Sequence, residues 1–134
     1  MISLKSAEKF HGHLGPWLVL GLLIGEYGLK KIKAQKYFGL EIKVSGLGKK
    51  PHSCLVDGLQ LSTGCTLGKG NIHLNGAKKI KIVFINRTNQ KSISLSLKKG
   101  LLKNLDRDMS HKEAEAIAYK LSKTNPLKIV QILN

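Results

Sequence analysis

Cysteine is scarce in this chain: Cys54 and Cys65 are the only two in 134 residues. Two thiols cannot form the disulfide framework of a small secreted domain, so a reducing, cytoplasmic setting is expected. Acids are scarce too, eight against 23 Lys and Arg, for a formal net charge of +15. The imbalance is local: residues 27 to 105 hold 16 Lys and Arg but only Glu41 and Asp57 as acids, whereas four acids crowd into residues 106 to 115. One surface is therefore strongly positive. Aromatics are few, one Trp, three Tyr and three Phe. Only Tyr37 and Phe38 are interleaved with the lysine pairs Lys30-Lys31, Lys49-Lys50, Lys78-Lys79 and Lys98-Lys99. The lack of stacking platforms argues against specific single-strand or RNA recognition, and nonspecific phosphate binding stays open. Long apolar runs are missing: Leu14 to Ile24 is 11 residues, short of the roughly 20 that cross a bilayer. Residues 1 to 10 lack the features of a signal peptide. A soluble protein with no membrane partner is expected.

A chain of 134 residues with 42% hydrophobic content fits one domain, residues 1–134, around a single core. Residues 3 to 13 read as a short helix capped by Ser3 or Ser6. His11-Gly-His-Leu-Gly-Pro16 breaks it, and Pro16 is placed to begin a second helix over 17 to about 33. That helix is apolar nearly all round its first half, so it is expected at the centre of the fold. Its glycines, Gly21, Gly25 and Gly28, weaken a helix interior and imply close approach of another backbone. Residues 40 to 47 alternate as a half-buried strand, and a helix runs from Ser53 or Cys54 to Thr63 with Gly64 as its stop. Residues 80 to 86 and 92 to 97 form a strand pair with a short hairpin loop. The last part, 101–134, reads as predominantly helical, with Ser110-His-Lys-Glu113 as a capping box. Residues 127 to 133 are either an edge strand or a terminal helix. The order indicates α+β with a mixed or antiparallel sheet.

The chemistry concentrates between Cys54 and Asn71. Thiols and carboxylates need partners once buried, so a packing helix has no use for this mixture. Cys54 falls in the first turn of its helix, where the dipole favours thiolate, and Asp57 is one turn on; otherwise Cys54 is a small buried hydrophobe. Cys65 lies 11 residues later, roughly 16 Å along an unbroken helix. Two thiolates on one zinc must lie within about 4.6 Å, so Cys65 joins Cys54 only through a sharp bend or a second copy of the chain. The loop Gly68-Lys69-Gly70-Asn71, with Thr66 before it, is one residue short of a phosphate-binding loop and lacks its magnesium-binding hydroxyl. That excludes an NTPase and leaves either an anion or carboxylate cradle or a plain tight turn. His11 and His13 flank Gly12 in a kink where two imidazoles can converge, as ligands of a zinc-like metal or as ordinary structural histidines.

Phe10-His-Gly-His-Leu-Gly-Pro16, Cys54-Leu-Val-Asp-Gly-Leu-Gln60 and Thr63-Gly-Cys-Thr-Leu-Gly-Lys-Gly-Asn71 resemble the FmdE (FwdE) family of formylmethanofuran dehydrogenase proteins. Asn75-Gly-Ala-Lys78 and Val83-Phe-Ile-Asn-Arg87 extend the likeness, which covers roughly residues 8 to 100. The resemblance implies an α+β domain with a mixed sheet, similar to the catalytic domain of glyceraldehyde-phosphate dehydrogenases. It also implies one-carbon metabolism from carbon dioxide in archaea and some anaerobes, and a bound metal. Two features depart from the pattern. Gly15 stands where the family has the cysteine of His-Gly-His-x-Cys-Pro, and the paired-cysteine C-terminal zinc module of many members is lacking. The ligand set left is His11, His13 and Cys54, with Cys65 or a residue from a second copy of the chain as a further candidate.

Three functions follow. The first is a metal-binding accessory domain, holding zinc or a similar divalent ion and associating with formylmethanofuran dehydrogenase subunits. The second is a cysteine-dependent enzyme with Cys54 as nucleophile, Asp57 and Gln60 orienting a substrate, and Lys69 and Asn71 holding its anionic group. The third is a basic, nonspecific nucleic-acid binder. The missing ligand at Gly15 and the glycine-spaced helix both point to a homodimer.

Overall fold

The structure, a computed structural model, describes residues 2–133. Among these residues, five helices and a five-stranded mixed sheet form a single α+β domain. In chain order these are α1 (Leu4–His11), α2 (Pro16–Lys31), β1 (Leu40–Ser45), a 3-10 turn (His52–Cys54), α3 (Leu55–Thr63), β2 (Ile72–Asn75), β3 (Lys81–Asn86), β4 (Ser92–Leu97), α4 (Lys99–Leu105), α5 (His111–Ser122), a second 3-10 turn (Pro126–Lys128) and β5 (Val130–Ile132). The strand order is β2-β1-β3-β4-β5. β1 and β2 run parallel, joined through α3, and the other neighbours are antiparallel.

Period-two patterning sets the sheet's inner face. Ile42 and Val44 of β1 align with Phe84 and Ile82 of β3, and Leu40 of β1 with Ile93, Leu95 and Leu97 of β4 continue the layer. α2 fills the space over it, with Trp17 through Gly25 buried without a break. Its glycines mark close approach, as expected. A Cβ at Gly21 would lie 2.2 Å from the Leu55 carbonyl oxygen and 2.8 Å from Gly58 Cα, so α2 and α3 cross almost backbone to backbone. The small-residue face that favoured a homodimer is thus covered by a helix of the same chain, which removes that argument for a second copy.

Of the two alternatives for residues 127 to 133, the structure takes the edge strand: residues 130–132 pair Leu97 with Val130 and Leu95 with Ile132. β2 has no clear sequence signature, because only Ile72 of its four residues is buried and the rest sit on an exposed edge. At the start of α5, the Ser110 hydroxyl accepts from the Glu113 N–H at 3.1 Å and the Glu113 carboxylate accepts from the Ser110 N–H, completing the predicted capping box.

Candidate metal centre

Three turns deliver the site. Ser3 caps α1, whose last residue is His11, and Gly12 follows in the left-handed region at φ 105°, which frees His13 from the helix path. Pro16 then starts α2. From the other side, the 3-10 turn ends at Cys54, which stands at the N-cap of α3, so Asp57 lies in the first turn. One nitrogen from each of His11 and His13 and the Cys54 sulfur lie within 4.8 Å of one another. The two imidazole centroids are 4.7 Å apart.

His11 is the best-defined member. Its Nδ1 is 2.5 Å from Asp57 Oδ2. An ionised carboxylate only accepts, so Nδ1 is the protonated nitrogen of this pair, and in the neutral ring Nε2 keeps its lone pair. That Nε2 is buried and has no hydrogen-bond partner among the described residues, although a buried polar atom in that state costs about 1–3 kcal/mol. A carboxylate fixing one imidazole nitrogen while the other faces a ligand is how metal-bound histidines are oriented. His13 is more open, and burial, helped by the nearby His11 and His111, lowers its pKa and favours the neutral ring. Two imidazoles and a thiol form a donor set suited to zinc and similar borderline-soft ions.

Cys54 departs from expectation. Burial, reinforced by the Asp57 carboxylate, raises its pKa, and Lys50 only partly opposes this. The helix start does not prevail, because the half-buried sulfur shares its turn with an anion.

Cys65 is not part of this cluster. It is fully buried beyond the end of α3, with Sγ 3.6 Å from the Leu40 carbonyl oxygen, and burial raises its pKa as well. Gly64, left-handed at φ 77°, ends the helix and turns the chain toward β2 instead of folding it back to Cys54. The glycine loop is self-satisfied. Asn71 Oδ1 accepts from the Thr66 N–H, Gln60 Oε1 from Leu67, the Thr66 hydroxyl from Lys69 and the Leu67 carbonyl from Gly70. Few amide donors are left for an anion, and Gly68 and its neighbours form the tight turn. Lys69 lies over the rings of Tyr37 and Phe38, 5.8 Å from each centroid.

Sequence reasoning did not reach the surroundings of the triad. A cavity of about 190 Å³ opens beside His13 and Cys54, with Trp17, Leu105 and Met109 as apolar wall and Arg107 and His111 among its polar lining. Gly15 borders it: a Cβ there would sit 3.1 Å from His13 Cε1, so the missing side chain leaves the space free. His52 Nε2 is 2.5 Å from Asp106 Oδ1, and the His52 ring stacks on Trp17 at 4.2 Å. This pair ties the 3-10 turn to the end of α4 and so holds residues 107–111 over the cavity. Partners separated by 54 residues leave no local signal in a sequence.

No helix among the described residues is long and apolar enough to cross a membrane. A similar segment occurs in a probable S-adenosyl-L-methionine-binding protein of Archaeoglobus fulgidus, 27% identical over 96 residues; these span 67% of this chain but only 25% of that protein's length. The family described as FmdE, Molybdenum formylmethanofuran dehydrogenase operon, matches residues 10–131. With its His-Gly-His and Cys54–Asn71 segments both inside that match, the chain belongs to the FmdE family.

Proposed function

We propose that this chain is a metal-binding domain in which His11 Nε2, one nitrogen of His13 and the Cys54 sulfur hold zinc or a similar divalent ion. Its role is accessory to formylmethanofuran dehydrogenase chemistry, in association with subunits of that enzyme. The observation that carries the reading is the buried, unpartnered His11 Nε2 held in place by Asp57. When bound, such an ion supplies Lewis-acid polarisation of a small ligand. The chain's own part is to fix the donors: Asp57 sets the tautomer of His11, and the apolar wall of Trp17, Leu105 and Met109 limits water. Three protein donors beside an open cavity match a centre with an exchangeable position more than a closed structural one. A second copy of the chain supplying a fourth donor is the alternative way to complete the site, and sedimentation tests it.

The nucleophilic reading is weaker for physical reasons. Attack in the metal-free site needs a standing thiolate, whereas Cys54 is held toward the thiol; a bound ion would itself displace that proton. Asp57 is engaged by His11, Gln60 by the loop, and Lys69 lies over two rings. Metal analysis of protein purified without an affinity tag tests the proposal. About one divalent ion per chain, lost in Cys54→Ser, is expected; metal-free protein that takes up no zinc on addition would refute it.

A further inference from the structure

A second cavity, about 830 Å³, is bounded by the loop after β1, the segment entering β3, the ends of β4 and β5, and α4. Five lysines line it: Lys49, Lys78, Lys79, Lys81 and Lys99. The acid in its lining is Asp106, whose carboxylate is engaged by His52 at 2.5 Å. Among the described residues the ion pairs occupy Lys30, Arg87, Arg107 and histidines, so none of the five ammonium groups is neutralised by a salt bridge. Like charges converging on a concave surface repel one another and focus a positive potential into it.

The lining is not only charged. Ile80, Leu97, Leu102 and Leu133 contribute apolar surface between the lysines. We infer that this cleft is a binding site for a small organic polyanion, an apolar or flat body carrying two or more phosphate or carboxylate groups. The volume lies in the range of about 300–1,000 Å³ typical of small-molecule pockets. A bare inorganic anion would use the lysines and leave the apolar surface uncovered. A nucleic-acid backbone presents its phosphates on a convex surface and would meet only the rim. No arginine lines the cleft, so recognition rests on mobile point charges and not on the planar fork that clamps one carboxylate or phosphate. Phosphate and carboxylate ligands are therefore both admissible. The inference is independent of the metal reading, since none of His11, His13 and Cys54 lines this cavity.

The test is calorimetric titration of the whole chain at low salt, without added divalent ions, using ATP, benzenehexacarboxylate, inorganic tripolyphosphate and a short DNA duplex. ATP or benzenehexacarboxylate should bind one per chain, the stronger of the two identifying the anionic group, and tripolyphosphate should bind more weakly than ATP. Lys78→Glu/Lys79→Glu should weaken binding roughly tenfold or more. Lys49→Gln/Lys99→Gln, a milder change that keeps the fold should the first variant lose it, should weaken it in the same direction. Lys112→Glu/Lys123→Glu, the same charge change away from the cleft, should leave it intact. Binding of neither organic anion, equal loss in the remote variant, tripolyphosphate matching ATP, or binding of the duplex alone would overturn the inference.

Discussion

Replacing Gly21 by alanine would add one methyl group at the crossing of α2 and α3. The added carbon would stand 2.2 Å from the Leu55 oxygen, 2.8 Å from Gly58 Cα and 2.9 Å from the Leu59 nitrogen, all backbone atoms that no rotamer change can move. Relief requires the helices to separate by on the order of 1 Å, breaking close packing along the most buried helix. Overpacking of this kind costs about 1–3 kcal/mol, and rigid backbone neighbours place it at the upper end. Alanine returns about 1 kcal/mol of helix propensity. The net loss is about 2 kcal/mol, a fall in Tm of roughly 6–10 °C for a domain of this size. The same displacement should weaken metal binding, because α3 carries Cys54 and Asp57 while α2 follows directly from His13. Thermal unfolding followed by circular dichroism reads the first effect and chelator competition the second. Gly48→Ala is the control, as a Cβ there meets nothing within 4 Å. A Gly21→Ala protein as stable as the parent would refute the close-crossing argument.

Other consequences can be measured separately. Asp57→Asn keeps the shape but loses the charge that orients His11, so zinc affinity should fall about 10–100-fold, with folding little changed; unchanged affinity would remove Asp57 from the centre. Zinc should protect half-buried Cys54 from alkylation, while fully buried Cys65 should react only on unfolding, with or without metal. Mass spectrometry of the modified peptides distinguishes the two, and rapid labelling of Cys65 in the folded protein would contradict its placement. The Glu113 pKa is lowered, first by the Ser110 N–H and then by Arg107. Its contribution to stability is therefore present above the ordinary carboxyl pKa and is lost as pH falls through the lowered folded value. Glu113→Gln should remove that part of the acid dependence of unfolding, and an unaltered pH profile would show the capping box to be electrostatically idle.

What could be read from the sequence was local. The capping box, the all-round apolar α2, the glycine stop at Gly64 and the alternation of β1 and β4 each depend on neighbours a few residues apart. Even the close approach at Gly21 was visible, though not that its partner would be Gly58 of the same chain. The ligand types His11, His13 and Cys54 could be named from the kink and the helix start. Their convergence depends on packing α1 against α3 across 46 residues, the separation of His11 and Asp57. The role of Asp57 was hidden for that reason, as was the effect of its charge on Cys54. β2 escaped because an exposed edge strand has no buried face to impose alternation, and the cavity beside Gly15 escaped because it is made by residues from three distant segments.

The central claim is that Cys54, with His11 and His13, binds one divalent ion, and cobalt titration tests it most directly. Cobalt substitutes for zinc and reports a coordinating thiolate by a sulfur-to-metal charge-transfer band in the near ultraviolet. The account predicts that the band saturates at about one cobalt per chain, disappears in Cys54→Ser and persists in Cys65→Ser. A band that survives Cys54→Ser, or cobalt binding with no band in the parent protein, would contradict it.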